Sequence, residues 1–169
     1  MTSNDTLILE STSYYGEFIE MYESCSKKLY ITALMILKNP SDAEDAVQDT
    51  VILAIKAFNS LRNKDSFHSW ILKILINRCN RMKFLRFRFN LSQITFDSVW
   101  EDDISDDSIV IRNALLKLDY KYRIVIILRF FHDFKISQIA EVLKLSEGTV
   151  KSQLHRALNQ LKDILKGGM

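Results

Sequence analysis

The chain has 169 residues, 47% of them hydrophobic and 26% charged, with a formal net charge of +2; this is apolar material enough for one domain or two small ones, and it argues against disorder of the whole. One proline and four glycines favour long uninterrupted helices over turn-rich sheet. Cys25 and Cys79 form no CxxC pair and the chain has no apolar run of the roughly 18 residues that a membrane span needs, nor a start resembling a signal peptide, so neither a disulfide framework nor a zinc site is indicated and a soluble cytoplasmic protein is expected.

From Gly16 onward Phe18, Tyr22, Cys25, Leu29, Ala33 and Leu37 recur every three or four positions, which predicts one amphipathic helix ending at Lys38-Asn39-Pro40. Ser41 with Glu44 three residues later reads as a capping box that starts a second helix. Its buried face would be Ala43, Ala46, Val47, Thr50, Val51, Ala54 and Phe58, leaving Asp42, Asp45, Gln48 and Asp49 outward. The polar stretch Asn59 to Ser66 breaks the pattern, and Ser66 is placed to cap a third helix from about Phe67 to Arg86. Trp70, Ile71, Ile74, Leu75, Cys79, Met82 and Leu85 make its core face. Between Trp70 and Asn90 stand Lys73, Arg78, Arg81, Lys83, Arg86 and Arg88 with no acidic residue, an imbalance that suits a phosphate backbone, since a solvated face usually mixes both signs.

Residues 91 to 111 carry six acidic residues and no basic one, and read as an acidic linker that divides the chain. Residues 112 to 169 then hold eleven basic against five acidic residues, the asymmetry expected when one module meets nucleic acid. Helical patterns follow at Ile109 to Leu118, Lys121 to Phe131, Ile136 to Lys144 and Glu147 to about Leu165. In the last two, Ile136, Ile139, Ala140, Leu143, Leu145, Val150, Leu154 and Leu158 suit two short helices around a tight turn. Ala140 is small where they cross, Leu145 plugs the turn, and Ser146 caps the second helix with Glu147 in its first turn. The outward face of that helix presents Lys151, Ser152, His155 and Arg156, with Gln153 nearby, where a recognition helix meets base edges and phosphates. A helical hairpin of an ordinary bundle could produce the same spacing.

Three stretches resemble one family. SEGTVKSQLHRAL resembles the recognition helix in domain 4 of extracytoplasmic-function (ECF) sigma factors of bacterial RNA polymerase, SDAEDAVQDTV their polymerase-binding helix in domain 2, and FHSWILKILINRC the helix that meets the promoter minus-10 element. They stand in the family's order and spacing and cover nearly the whole chain. The resemblance implies an all-α fold of two small helical domains, at 1–90 and 108–169, joined by an acidic flexible linker at 91–107. It implies that Asp45, Gln48 and Asp49 meet the clamp of the polymerase beta-prime subunit, and that domain 4 meets the beta flap. Lys73, Asn77, Asn80 and Arg81 would serve the minus-10 element, where a flipped base is held by hydrogen bonding and stacking. Lys151, Ser152, Gln153, His155 and Arg156 would serve the minus-35 element. An anti-sigma protein, membrane-anchored, is a further implied partner; no cofactor and no small-molecule substrate are.

The chain departs from the family in places. Arg81 stands where aspartate is frequent, Phe84 where a basic residue is, with Phe87 and Phe89 following, and Gln153 where arginine is frequent. Two other readings stay open on the residues alone. A ligand-sensing regulator would bind duplex DNA by itself, usually as a dimer. An enzyme finds little support: His68, His132 and His155 have no metal-binding spacing, and no P-loop or GxGxxG is present. His155 is expected to face DNA, and His68 and His132 to lie at the surface or in loops.

Overall fold

The computed structural model describes residues 15–88 and 106–167, and every regular element among them is helical. The first group comprises α1 (residues 15–23), α2 (Ser26–Leu37), α3 (Pro40–Ala57) and α4 (Phe67–Arg88); the second comprises α5 (Asp106–Lys117), α6 (Tyr120–Ile126), α7 (Ile136–Leu143) and α8 (Glu147–Gly167).

The single helix expected from Gly16 to Leu37 is two. At the break, Ser24 Oγ donates to Met21 O (2.7 Å), Cys25 Sγ to Tyr22 O (3.4 Å) and Ser26 Oγ to Glu23 O (3.2 Å). Such local side-chain bonds compete with the helix ladder. The turn is tight enough that Leu29 N still bonds Cys25 O at 3.0 Å, so the apolar spacing passes through it unchanged. α2 ends at Lys38, which adopts the left-handed conformation (φ 57°) and returns its N–H to Leu34 O.

The expected capping box is also displaced. Asn39 is the cap of α3, its side chain accepting from Asp42 N at 3.0 Å, and Pro40 is the first helical residue. Asparagine caps well and proline is pre-organised for that first position, so Ser41 already lies inside the helix. Ala43, Ala46, Thr50 and Ala54 are buried, small residues that let α3 lie close against α2 and α4. Val47 and Val51 pack at the edge of the core. Phe58 follows α3 and meets Phe18 and Phe67 edge to face, with ring centroids 5.3 and 5.9 Å away.

Two short 3-10 turns, Phe58–Ser60 and Lys64–Ser66, lead to α4. Asn63 caps the second of these turns, its side chain accepting from Asp65 N at 3.0 Å, and Ser66 immediately precedes α4. The buried stripe of α4 is Phe67, Ile71, Leu72, Leu75, Ile76 and Cys79; Trp70, Ile74 and Met82 are partly covered and Leu85, expected in the core, is exposed.

The predicted helices of the second group fall where the periodicity places them. α5 begins at Asp106, within the stretch read as linker; residues 91–105 lie outside the described ones. α6 runs into a π-helical turn, Ile127–Phe131. The two groups pack together: Lys38 Nζ donates to Leu116 O (3.0 Å), Lys83 Nζ sits 3.7 Å from the centre of the Tyr120 ring, and Lys73 pairs with Glu141 at 3.7 Å. Buried side chains of both groups form one continuous cluster.

Candidate nucleic-acid and protein interfaces

α7 and α8 form the predicted helix-turn-helix. Lys144 closes α7 in the left-handed conformation (φ 55°), and Leu145 N bonds Ala140 O at 2.9 Å. Leu145 is half-buried over this turn, while Ile139, Ala140 and Val150 fill the crossing. Ser146 Oγ accepts from Thr149 N at 3.1 Å and Ser146 O from Val150 N at 3.0 Å, so Ser146 is the cap of α8 as expected. Leu154 is only half-buried; Val150 and Ala157 anchor the helix.

On the opposite side of α8 Lys151, Ser152, His155 and Arg156 are all exposed. Ser152 Oγ donates to Thr149 O (2.9 Å) and His155 Nε2 lies 3.2 Å from Asn159 Nδ2, which steadies both groups without covering them. Neither Lys151 nor Arg156 joins a salt bridge among the described residues. Gln153 differs: it is half-buried and its covered Oε1 accepts no hydrogen bond among the described residues. Its amide is therefore not set outward beside the other four.

The basic helix is less free than its sequence indicates. Arg78 pairs with Asp49, and Arg86 Nη2 lies 2.7 Å from Asp42 Oδ2, both across the α3–α4 contact. Lys73 is taken by Glu141 and Lys83 by the face of Tyr120. Burial, then Arg123 and Lys38 nearby, hold the Lys83 ammonium below its ordinary pKa. Of the six cations, Arg81 and Arg88 are exposed and the other four are partly covered. Asn77 and Asn80 are exposed on the same side, Asn80 beside the Tyr120 hydroxyl, whose pKa burial pushes up to about 12 while Asn80 acts the other way. At the helical repeat of 3.6 residues, Lys73, Asn77, Asn80, Arg81, Phe84, Phe87 and Arg88 share one stripe of α4. Phe84 and Phe87 are 62% and 87% exposed, apolar surface that α4 does not use for its own packing.

On α3, Asp45 and Gln48 are exposed, Asp49 is half-covered and committed to Arg78, and Asp42 is mostly covered against Arg86. The expected outward patch thus splits into two free residues and two that hold α3 to α4. His132 follows the π-helical turn in a loop, one of the two places expected for it, but it is interior, whereas His68 lies on α4 rather than at the surface or in a loop. His132 is 5% exposed and His68 is partly buried, with their rings 4.9 Å apart. The near-neutral segment around His132, Arg129-Phe130-Phe131-His132-Asp133-Phe134, is the one signal in the sequence that could have marked it as interior.

The model of Sigma-70 region 2 matches residues 21–86 and that of Sigma-70, region 4 matches residues 108–161. The RNA polymerase sigma factor SigV of Bacillus subtilis is 35% identical over 138 residues, 79% of this chain and 81% of that protein. The ECF RNA polymerase sigma factor SigW of the same organism is 27% identical, over 90% of this chain and 89% of its own length. Among solved structures, the sigma factor RpoE of Bartonella quintana, crystallised with the anti-sigma factor NepR, superposes with a TM-score of 0.78 at 25% identity, covering 88% of this chain and 96% of that one. The α1–α4 group and the α5–α8 group that ends in the helix-turn-helix therefore correspond to regions 2 and 4 of one kind of transcription subunit, and the chain belongs to the sigma-70 family, among the RNA polymerase sigma factors of the ECF type.

Proposed function

We propose that the chain works without catalysis of its own, in the cytoplasm, by joining core RNA polymerase through α3 and reading two promoter elements, the minus-10 with α4 and the minus-35 with α8. The observation that carries this reading is the exposed set Lys151, Ser152, His155 and Arg156 on the second helix of the helix-turn-helix, whose two cations join no salt bridge among the described residues. Residues 1–90 form the domain that meets core at the beta-prime clamp; the segment from residue 91 to the start of α5 at Asp106 links it to the second domain, which meets the beta flap and the minus-35 duplex. In vitro transcription with core polymerase on a genomic library tests it: discrete start sites that depend on both components are expected. Tight operator binding by the free chain, with no effect of core, would favour a DNA-binding regulator instead.

Arg156→Ala and Lys151→Ala are expected to weaken minus-35 binding while leaving the second domain folded. Loss of a base contact should cost about 1–3 kcal/mol and relax specificity at one position; loss of a phosphate contact should lower affinity across sequences and reduce the salt slope by about one. Binding isotherms at several salt concentrations separate the two. Unchanged binding by both variants would remove α8 as the reading helix.

An apolar cleft of about 590 Å³ opens between the groups, lined by Ile31 and Met35 of α2, Leu115 of α5, Ile127 and Phe130 of the π-helical turn and Leu158 of α8. Phe130 is 60% exposed there. The cleft is the docking site for an apolar helix of an anti-sigma factor, the class of partner bound by RpoE of Bartonella quintana in the related complex.

A further inference from the structure

A chain of three side chains joins the two groups through their common interior. Thr32 Oγ1 on α2 lies 2.8 Å from His132 Nε2, and His132 Nδ1 lies 2.9 Å from His68 Nε2 on α4. Thr32 also donates its hydroxyl proton to Lys28 O at 2.8 Å, so its oxygen is left to accept. His132 must then donate from Nε2, leave Nδ1 bare and receive a proton there from His68 Nε2. His132 is neutral in this arrangement, and the chain has one direction throughout. Phe134 packs on both rings, with centroids 5.5 and 5.8 Å away, and Phe131 lies 5.2 Å from that of His132.

The charges around the pair oppose protonation. Lys28 faces it from α2. The carboxylates of the adjoining elements are committed elsewhere, Glu141 of α7 to Lys73 of α4 and Asp133 to Arg129. If both rings carried two protons, N–H would face N–H across 2.9 Å.

This packing also conflicts with promoter reading. Minus-10 and minus-35 elements lie about 25 base steps apart, on the order of 85 Å at roughly 3.4 Å per step. Here Lys73 of the minus-10 stripe is instead bound to the first helix of the helix-turn-helix. The two groups must separate before both elements can be read.

We propose that Thr32, His68 and His132 form an interdomain latch that holds the free sigma factor closed, with the minus-35 domain against the minus-10 helix, and that the latch opens with uptake of protons. The inference rests on the promoter reading above for its consequence, though the latch itself is a property of the free chain. Burial first, then His68 and Lys28, push His132 down to about 3, and burial and Lys28 lower His68. In the open form both rings return to water and an ordinary pKa of about 6.5. The open form therefore binds more protons below that value. Closure is fully favoured above about pH 6.5 and weakens as pH falls, by up to about tenfold per pH unit for each imidazole.

Small-angle scattering of the full chain without polymerase, from about pH 8 to about pH 5.5 across the ordinary histidine range, with circular dichroism alongside, tests the latch. At the alkaline end a radius of gyration of about 16 Å is expected for a closed body of this length. It should rise as pH falls while helicity holds. In the double variant His68→Gln and His132→Gln the radius should no longer depend on pH. Lys28→Gln, an exposed position whose change cannot empty the core, should move the opening midpoint to lower pH, because the closed form then tolerates a proton better. A constant radius in the parent, expansion that persists in a folded double variant, expansion that coincides with helix loss, or an unmoved midpoint in Lys28→Gln would each overturn the proposal. Transcription with core at constant pH is scored separately: its absence strikes the promoter reading, whereas a flat scattering profile strikes the latch alone.

Discussion

Phe58→Ala is expected to cost about 3–5 kcal/mol, a large share of the roughly 5–15 kcal/mol by which native domains are stable. Phe58 is fully buried, and its ring stands edge to face with both Phe18 and Phe67 at 5.3 and 5.9 Å while Phe18 and Phe67 meet at 5.7 Å. Each such pair contributes about 0.5–1.5 kcal/mol beyond area burial, and the cavity left by alanine adds its own cost. The three rings come from α1, the turn after α3 and the start of α4, so no single helix can move in to close the gap. The Phe67 ring lies 5.8 Å from Trp70, so urea unfolding followed by tryptophan fluorescence reports on this group. A midpoint shift worth less than about 1 kcal/mol would show that the rings repack around the loss.

The helices of this chain were legible because apolar periodicity survives small irregularities, and the same robustness hid the irregularities. The Ser24–Cys25 break does not interrupt the spacing of Phe18, Tyr22, Cys25 and Leu29, so periodicity reads straight through it. The start of α3 was misplaced by competing signals: Ser41 with Glu44 fits a capping box, but Asn39-Pro40 starts the helix two residues earlier, with Asn39 accepting from Asp42 N. On α8 both the cap at Ser146 and the outward set were legible, since capping and exposure there are decided within one turn of helix.

Charges were the least legible part, because their partners lie on other helices. Counting along α4 gives six cations and no acid, yet Asp42 and Asp49 of α3 neutralise Arg86 and Arg78, and Lys73 and Lys83 are engaged by the second group. The apparent phosphate-binding excess is thus partly cohesion between helices. His68 and His132 escaped for the same reason: a histidine in a sequence carries no sign of the threonine or imidazole that will satisfy it once chain segments far apart are folded together.

That split of the α3 carboxylates decides how the polymerase contact should be probed. Reversing Asp45 and Asp49 together would confuse two effects, since Asp49→Lys sets an ammonium against Arg78 and loses an ion pair as well. Both partners are more than a quarter exposed, so that loss is about 1 kcal/mol after solvent screening. Asp45→Lys is the clean variant, because Asp45 is exposed and joins no salt bridge among the described residues. Its thermal unfolding is expected to match the parent. At the proposed clamp interface, by contrast, a lysine would meet a surface complementary to an acid, and like-charge contact there costs about 3 kcal/mol, on the order of a hundredfold in affinity for core. Titration of core polymerase against the fluorescently labelled chain, with circular dichroism melts of each variant, reads both quantities. Asp49→Lys should then show a lowered melting temperature, and Asp45→Lys weak core binding with none. A stable Asp45→Lys chain that binds core as tightly as the parent would take α3 out of the polymerase interface and leave its acids with the cohesive role alone.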